Sequence, residues 1–345
     1  MNNLEFSVPF NCDPDMLSDV FHLVRSSKNK VREIYLAGPR EYSGSGRETN
    51  KLDTSQFISI VDQIHREGIR VNLVLNPTCE GVEWYRPAVV EKKMEYLRQM
   101  HEDHGVEAVT LANPIYIMAI RNLFPNIEIC ASVLSDIDSV QKAVFYSKAG
   151  ADVISPDVNI NRNLNLLKEI KEATNTKLKL LVNEGCLYKC PFRKFHFNYL
   201  SHKSKMETSM TETGDSIFFK HCRLITYNDP SQILKSGWIR PEDTRKYNEI
   251  SCFFKIVGRM MPTSRVIRTT KAYLEESWDG NILDIMDGNL RAFCLEIFAY
   301  LDNKSLDKFN FFEKITSCYY NCDKNKCSYC EMLLKKLIFG PRKGA

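Results

Sequence analysis

The sequence predicts an α/β protein of the (β/α)8 barrel type, with a long insertion after the seventh strand and a small helical C-terminal extension. Eight short apolar runs recur along the 345 residues, and helix-length segments separate most of them, as in right-handed βαβ units. The runs are rich in Val, Ile and Leu without polar alternation, which is typical of parallel strands buried on both faces. Eight such strands favour a closed barrel over an open sheet, and no GxGxxG motif follows the first strand.

The predicted strands and helices alternate along the chain at regular intervals. The strands are Leu4–Phe10, Arg32–Ala37, Arg70–Leu75, Ala108–Ala112, Glu128–Val133, Asp152–Ser155, Lys177–Val182 and Phe253–Val257. The helices are Asp13–Arg25, Thr54–Glu67, Val89–His104, Asp136–Lys148, Asn161–Ala173 and Ser264–Glu276. Asn11 or Asp13 can cap the first helix, and Gly68, Gly105 and Gly150 are C-caps of the next three.

The alternation of strands and helices is interrupted twice, first by a long insertion and then by the C-terminal extension. The second interruption is the predicted domain boundary. Residues 184–250 form a long excursion after the seventh strand, at the end of a barrel where function is usually built. Residues 1–289 are assigned to the barrel with its cysteine cluster, and residues 290–345 to a helical extension that carries a CxxxCxxxxCxxC segment.

Composition excludes several classes of protein. Hydrophobic residues make up 43% and charged residues 26% of the chain, as in a globular protein with a substantial core. A net charge of +4 gives no electrostatic indication of a nucleic-acid partner. No N-terminal signal and no apolar run of about 18 residues is found, so a membrane partner is not expected and the cytoplasm is the expected location.

Four of the twelve cysteines lie close together in the tail. Cys318, Cys322, Cys327 and Cys330 fall within thirteen residues, among polar neighbours. In a reducing compartment such clusters bind metals rather than form disulfides. Zinc and a second [4Fe–4S] cluster are both compatible with this spacing.

A second group of cysteines surrounds the barrel mouth. Cys186 and Cys190 follow the seventh strand, Cys79 follows the third, and Cys222 lies in the insertion. The ends of parallel barrel strands share one rim, so four thiolates there could hold a [4Fe–4S] cluster. The alternative is that only the CxxxC pair binds a metal and that Cys79 and Cys222 are buried thiols. Cys12, at the end of the first strand, is the reserve ligand, and Cys130, Cys252 and Cys294 are assigned to the core.

Basic residues near the same rim are candidates for catalysis and substrate binding. Arg40 and Arg47 lie in a Gly/Ser loop after the second strand, where they could bind a carboxylate or phosphate, or could simply be solvated. Arg259 is a third predicted anion-binding residue, at the anion position after the eighth barrel strand. The predicted catalytic residues are Lys255, Arg193 and His196. Lys255 could instead pair with Glu80 or Asp157, and His196 could be structural or could donate protons.

Two segments resemble the peptidase U32 family. Residues Phe254 to Met260 read FKIVGRM, which together with Pro262 and Tyr273 is similar to a "KIEGRM…Y" signature. Residues Gly185 to Arg193 read GCLYKCPFR, similar to a "GxCxxxCR" segment of that family. The resemblance implies a barrel with a [4Fe–4S] cluster on four cysteines. Members are named proteases, but several act in oxygen-independent hydroxylation of RNA bases or of a quinone precursor, with prephenate proposed as the oxygen source.

The chain departs from that pattern in three ways. Val257 stands where the signature has Glu, the dense series of cysteines before the CxxxC pair is missing, and the tail cysteines lie outside the familiar core. The first hypothesis is therefore a divergent iron–sulfur-dependent oxidoreductase or hydroxylase acting on a small molecule, a peptide or a nucleotide. The alternatives are a non-catalytic, metal-containing partner subunit and a peptidase, although no GxSxG or HExxH motif is present.

Overall fold

Eight parallel strands close into a barrel in chain order, and β8 pairs back to β1. The structure is a computed structural model that describes residues 3–39, 44–47, 52–204, 214–287, 300–318, 322 and 327–337. The strands are β1 Glu5–Pro9, β2 Lys30–Ala37, β3 Arg70–Leu75, β4 Ala108–Leu111, β5 Glu128–Ala131, β6 Val153–Ile154, β7 Lys177–Leu181 and β8 Phe253–Lys255. The predicted barrel and all eight predicted strands are confirmed, β6 as a strand of only two residues.

Helices alternate with the strands and also form the insertion and the tail. They are α1 Asp15–Ser26, α2 Thr54–Arg66, α3 Pro87–Arg98, α4 Pro114–Leu123, α5 Val140–Lys148, α6 Leu164–Ala173, α7 Arg193–Lys203, α8 Gly214–Asn228, α9 Gln232–Lys235, α10 Thr263–Leu274, α11 Phe311–Thr316 and α12 Tyr329–Leu337. Short 3-10 helices occupy Val82–Tyr85, Val133–Ser135, Val158–Ile160, Pro241–Tyr247, Ile282–Asp284 and Lys304–Phe309, and a π-helical turn, Gln99–Asp103, continues α3.

Two helices differ from the prediction for identifiable reasons. Helix α4 was missed, although Asn113 caps it through a hydrogen bond from the Ile115 amide and Pro114 occupies its first turn, a common start for a helix. Helix α5 begins at Val140 rather than Asp136, because Asp136 has a left-handed φ of 50° and Ser139 is the N-cap.

The barrel interior contains a buried ion pair. The Nζ atom of Lys179 lies 2.7 Å from Oε1 of Glu33, and both side chains are fully buried. The Ser7 hydroxyl donates to Glu33 at 2.6 Å, and the Asn72 amide donates to both Glu33 oxygens at 3.1 Å. Thr110 completes the network by donating to Asn72. Because every carboxylate oxygen has a partner, the charge is accommodated inside the barrel.

The insertion and the tail pack beside the barrel. Trp238, near the end of the insertion, stacks on Phe311 of the tail with ring centroids 5.3 Å apart, and Arg240 donates to Asp307 at 2.6 Å. The predicted boundary near residue 290 falls within residues 288–299, outside the described residues. Within the described ranges, no helix is long and apolar enough to cross a membrane.

Candidate active site at the barrel mouth

A cavity of about 330 Å³ lies at the C-terminal ends of the barrel strands. The third strand leads into Asn76 and the fifth into Ser132, while Lys255 ends the eighth. The insertion covers the cavity with His196 and Phe197 of α7 and Phe219 of α8. Its full lining consists of Tyr35, Gly46, Arg47, Val74, Asn76, Ser132, Val133, Leu134, Ser155, Leu181, Glu184, His196, Phe197, Leu200, Phe219, Lys255, Val257, Gly258, Arg259, Met260, Met261 and Asp287.

Lys255 is a buried amine on the cavity floor. Its Nζ atom lies 3.8 Å from the centre of the Tyr35 ring, and no carboxylate among the described residues forms an ion pair with it. Burial above all, together with the charge of Lys179 and of Arg259, lowers the pKa of Lys255 to about 7. Of the partners considered for Lys255, Glu80 is instead paired with Lys93.

Arg259 is the second cation of the floor. Its Nη2 atom donates to the Ser45 hydroxyl at 2.8 Å, and its Nη1 atom is buried without a hydrogen-bond acceptor in the described residues. Burial lowers the pKa of Arg259, but a guanidinium stays charged in proteins. The floor thus presents one fixed and one titratable positive charge without a matching carboxylate in the described part of the chain.

A second group of charged residues at the cavity is electrically balanced. Arg193 binds Glu184 through both guanidinium arms at 2.7 and 3.3 Å. Arg47 lies 3.4 Å from Asp287 and 3.9 Å from Glu184. Both arginines also face the ring of Phe197, with guanidinium carbons 4.9 and 5.3 Å from its centre. Two arginines and two carboxylates therefore compensate one another, which leaves Arg193 to position Glu184.

His196 lies between the insertion helices and the cavity. Its half-buried ring stacks on Phe218, with centroids 4.9 Å apart, and meets Phe219 edge-on. Because the ring also lines the cavity, His196 is positioned to exchange a proton with a bound molecule.

Three of the four cysteines predicted at the rim lie near one another. The thiols of Cys190 and Cys222 are hydrogen-bonded, and Cys186 is close enough to raise the pKa of Cys222. The hydrogen bond from Cys222, assisted by the backbone amides of Phe192 and Arg193 at the start of α7, lowers the pKa of Cys190 to about 6. Cys190 is therefore the thiolate of the group.

Cys79 is placed differently. Its Sγ atom lies 3.3 Å from Nε2 of His202, the penultimate residue of α7. It lines a surface groove of about 360 Å³ that it shares with Arg193 and Asn198. Cys12, the reserve ligand, lies three residues beyond the end of β1 and near Arg259, and burial raises its pKa to about 11.

These positions give a direct test of fit to an iron–sulfur cluster. Cys186, Cys190 and Cys222 supply the right donor type from one side. In the described ranges, however, no three His, Cys, Asp or Glu side chains are placed closely enough to hold a metal ion. A complete four-thiolate set at the rim is therefore not assembled there. The tail cysteines line a separate cavity, and Arg40 and Cys294 lie outside the described residues.

Sequence reasoning missed three residues of this cavity. Glu184 and Asp287 are the carboxylates that balance the arginines, and Tyr35 places its ring against Lys255. Tyr35 lies near the end of β2 and Glu184 lies just beyond β7, and both positions predict residues of a site at the barrel mouth. Asp287 lies 240 residues from Arg47, so only the fold brings the two together.

Three comparisons bear on the chain. The family model described as "Peptidase family U32" matches residues 21–207. A Methanocaldococcus jannaschii protein described as "Uncharacterized protease MJ1657" is 33% identical over 314 residues, which cover 90% of each chain. The solved structure of the U32 peptidase Mk0906 superposes with a TM-score of 0.55 at 19% identity, covering 74% of this chain and 94% of that one. At this identity the structural similarity supports the barrel fold alone.

Proposed function

The chain belongs to peptidase family U32, and from that premise we propose that it is an enzyme whose substrate is a small anionic molecule bound at the barrel mouth. One observation carries the proposal. The cavity floor holds Lys255 and Arg259 without a carboxylate partner among the described residues. Burying charge without compensation is costly, so an anionic ligand is the natural partner for this floor.

The two cations have different tasks in this proposal. Arg259 stays charged and presents its unbonded Nη1 atom to a carboxylate or phosphate oxygen. Lys255, with a pKa of about 7, can carry the second charge of the site or transfer a proton near neutral pH. His196, which also lines the cavity, provides a second proton-transfer group.

The finer proposal is an iron–sulfur-dependent, oxygen-independent hydroxylase or oxidoreductase. It is supported by the resemblance of the CxxxC and FKIVGRM segments and by the neighbouring thiols of Cys186, Cys190 and Cys222. A cluster on these thiols would supply electron transfer. Because Val257 replaces the signature Glu, proton transfer at the floor is assigned to Lys255.

Anion binding is expected to weaken as the pH rises through about 7. The anion attracts the protonated amine, so affinity is highest below the pKa of Lys255 and falls as the amine loses its proton. Isothermal titration calorimetry with sulfate, whose charge is constant between pH 6 and 9, measures this pH dependence of the affinity directly. The variant Lys255→Met should bind more weakly and lose the pH dependence, whereas His196→Gln should keep it. Equal slopes in wild type and Lys255→Met would contradict this assignment.

A second candidate function rests on the contact between Cys79 and His202. A thiol 3.3 Å from an imidazole, beside a groove of about 360 Å³, is the arrangement of a nucleophile and its base in acyl transfer. The thiolate would attack a peptide carbonyl, His202 would protonate the leaving amine, and water would hydrolyse the thioester. This reading is compatible with the names of the relatives.

Iron analysis separates the two candidates. Protein purified without air should lose iron and acid-labile sulfide on Cys190→Ser, because Cys190 is the thiolate of its group. In Cys79→Ser the iron should be unchanged if Cys79 belongs to the pair with His202. Loss of iron in Cys79→Ser would instead identify it as the fourth ligand and remove the peptidase candidate. Turnover of a peptide library that disappears in both Cys79→Ser and His202→Asn would favour the peptidase.

A further inference from the structure

The four cysteines of the tail line one cavity, separate from the barrel mouth. This cavity has a volume of about 290 Å³. The tail side contributes Cys318, Cys322, Cys327 and Cys330, and the facing wall contains Asp229 to Lys235 at the end of the insertion. Cys322 and Cys327 are exposed and the other two thiols are half-buried. All four are free of disulfides.

The thiols are close enough to influence one another. Burial raises the pKa of Cys322, and the neighbouring Cys318 and Cys327 raise it further. Cys322 and Cys318 likewise raise the pKa of Cys330. Burial raises the pKa of Cys330 to about 11. Four thiols that line one cavity are the donor set of zinc and of iron–sulfur clusters.

A buried arginine lies beside this cavity. Arg162 is almost fully buried, donates to the backbone carbonyls of Leu234 and Trp238, and lies with its guanidinium carbon 5.0 and 5.4 Å from the centres of the Trp238 and Phe311 rings. Lys235, paired with Asp229, also lines the wall. Both cations act to lower the pKa of Cys330. A metal bound by four thiolates carries net negative charge, so a buried guanidinium beside it is complementary.

The facing wall connects this cavity to the barrel site. Asp229 directly follows α8, the helix that carries Cys222. Tyr188, between the cysteines of the CxxxC pair, is close enough for Cys318 and Cys322 to affect its pKa. A centre at this position would join the tail, the insertion and the CxxxC loop.

We propose that Cys318, Cys322, Cys327 and Cys330 ligate one thiophilic metal centre, a zinc ion or an iron–sulfur cluster, that fastens the tail to the insertion. Among the described residues the four thiols line one cavity without converging on a single point, so binding one metal requires them to approach one another. Binding converts the four thiols to thiolates and releases their protons to solvent.

Metal analysis of the full-length chain, purified without air, tests the proposal. The variant Cys190→Ser/Cys222→Ser, which disrupts the barrel group, should retain about one zinc, or about four irons with sulfide, per chain. Adding Cys318→Ser/Cys327→Ser should remove that metal, whereas adding Cys252→Ser, a half-buried cysteine elsewhere, should not. Zinc without visible absorption identifies the ion, and iron with sulfide and a brown colour identifies the cluster.

Thiol labelling provides a test on the unmutated protein. Chelator treatment should increase alkylation of Cys322 and Cys327 about tenfold or more, as read by mass spectrometry, because released ligands become free thiols. Alkylation of Cys252 should not change. Full metal content in Cys318→Ser/Cys327→Ser, or equal alkylation of the exposed thiols before and after chelation, would overturn the proposal.

Discussion

Replacement of Lys179 by Met is expected to lower the free energy of unfolding by about 3–5 kcal/mol. Lys179 and Glu33 are fully buried and 2.7 Å apart, so the substitution leaves a carboxylate uncompensated inside the barrel. Although burial raises it, the charge and hydrogen bond of Lys179, with hydrogen bonds from Ser7 and Asn72, lower the pKa of Glu33 to about 2. Urea denaturation at pH 7 measures the loss.

The pH dependence makes this prediction specific. A depressed carboxyl pKa stabilises the fold above the unfolded value of about 4.3 and loses that contribution as the pH falls toward 2. In Lys179→Met the pKa of Glu33 should rise, so the stability difference from wild type should shrink toward pH 4. The double variant Lys179→Met/Glu33→Gln should recover most of the loss at pH 7. A loss under about 1 kcal/mol in the single variant would contradict this interpretation.

Replacement of Arg259 by Gln is expected to weaken binding of sulfate and succinate by about 100-fold or more. Truncating one partner of a buried, hydrogen-bonded charge pair typically costs about 2–5 kcal/mol, and Arg259 presents a buried Nη1 atom without an acceptor in the described residues. The matched control is Arg47→Gln. Arg47 faces the same cavity, but Asp287 and Glu184 already compensate its charge, so its loss should change affinity less than about tenfold. Isothermal titration with both anions measures the difference.

The variant Arg259→Gln should not reduce the stability of the fold. In the absence of a ligand, Arg259 is a buried cation without a carboxylate in the described part of the chain, and removing it relieves that cost. Thermal unfolding of Arg259→Gln should therefore occur at the wild-type temperature or higher. Weak binding together with a lower unfolding temperature would indicate a structural role for Arg259 and would contradict anion recognition.

The fold was readable from the sequence because its determinants are local. Parallel strands are buried on both faces, so short runs rich in Val, Ile and Leu, such as Arg70–Leu75, identify them directly. Helix α4 was not predicted because its sequence signal is a short N-terminal cap, Asn113 followed by Pro114, rather than an extended amphipathic pattern. Chain order then fixed the barrel, since each strand pairs with its successor.

The site was readable only where strand ends define it. Lys255 and Arg259 end or follow β8, and both line the predicted cavity. Cys79 also follows a strand, but it comes four residues after β3, and that distance allows its loop to leave the rim and meet α7 at His202. Likewise, the pairing of Arg47 with Asp287 joins positions 240 residues apart, and no local pattern predicts it.

The unequal distribution of charge in the barrel-mouth cavity has a consequence for how a substrate lies in it. Lys255 and Arg259 carry positive charge without a carboxylate partner among the described residues, while the charges of Arg47 and Arg193 are balanced by Asp287 and Glu184. The net positive charge of the cavity therefore lies at Lys255 and Arg259, where it attracts the acidic end of a molecule. Under the proposed function, a molecule with one acidic end is expected to bind in a single orientation, with that end at Lys255 and Arg259. Selectivity for one end of the substrate would thus arise from electrostatics, independently of shape complementarity.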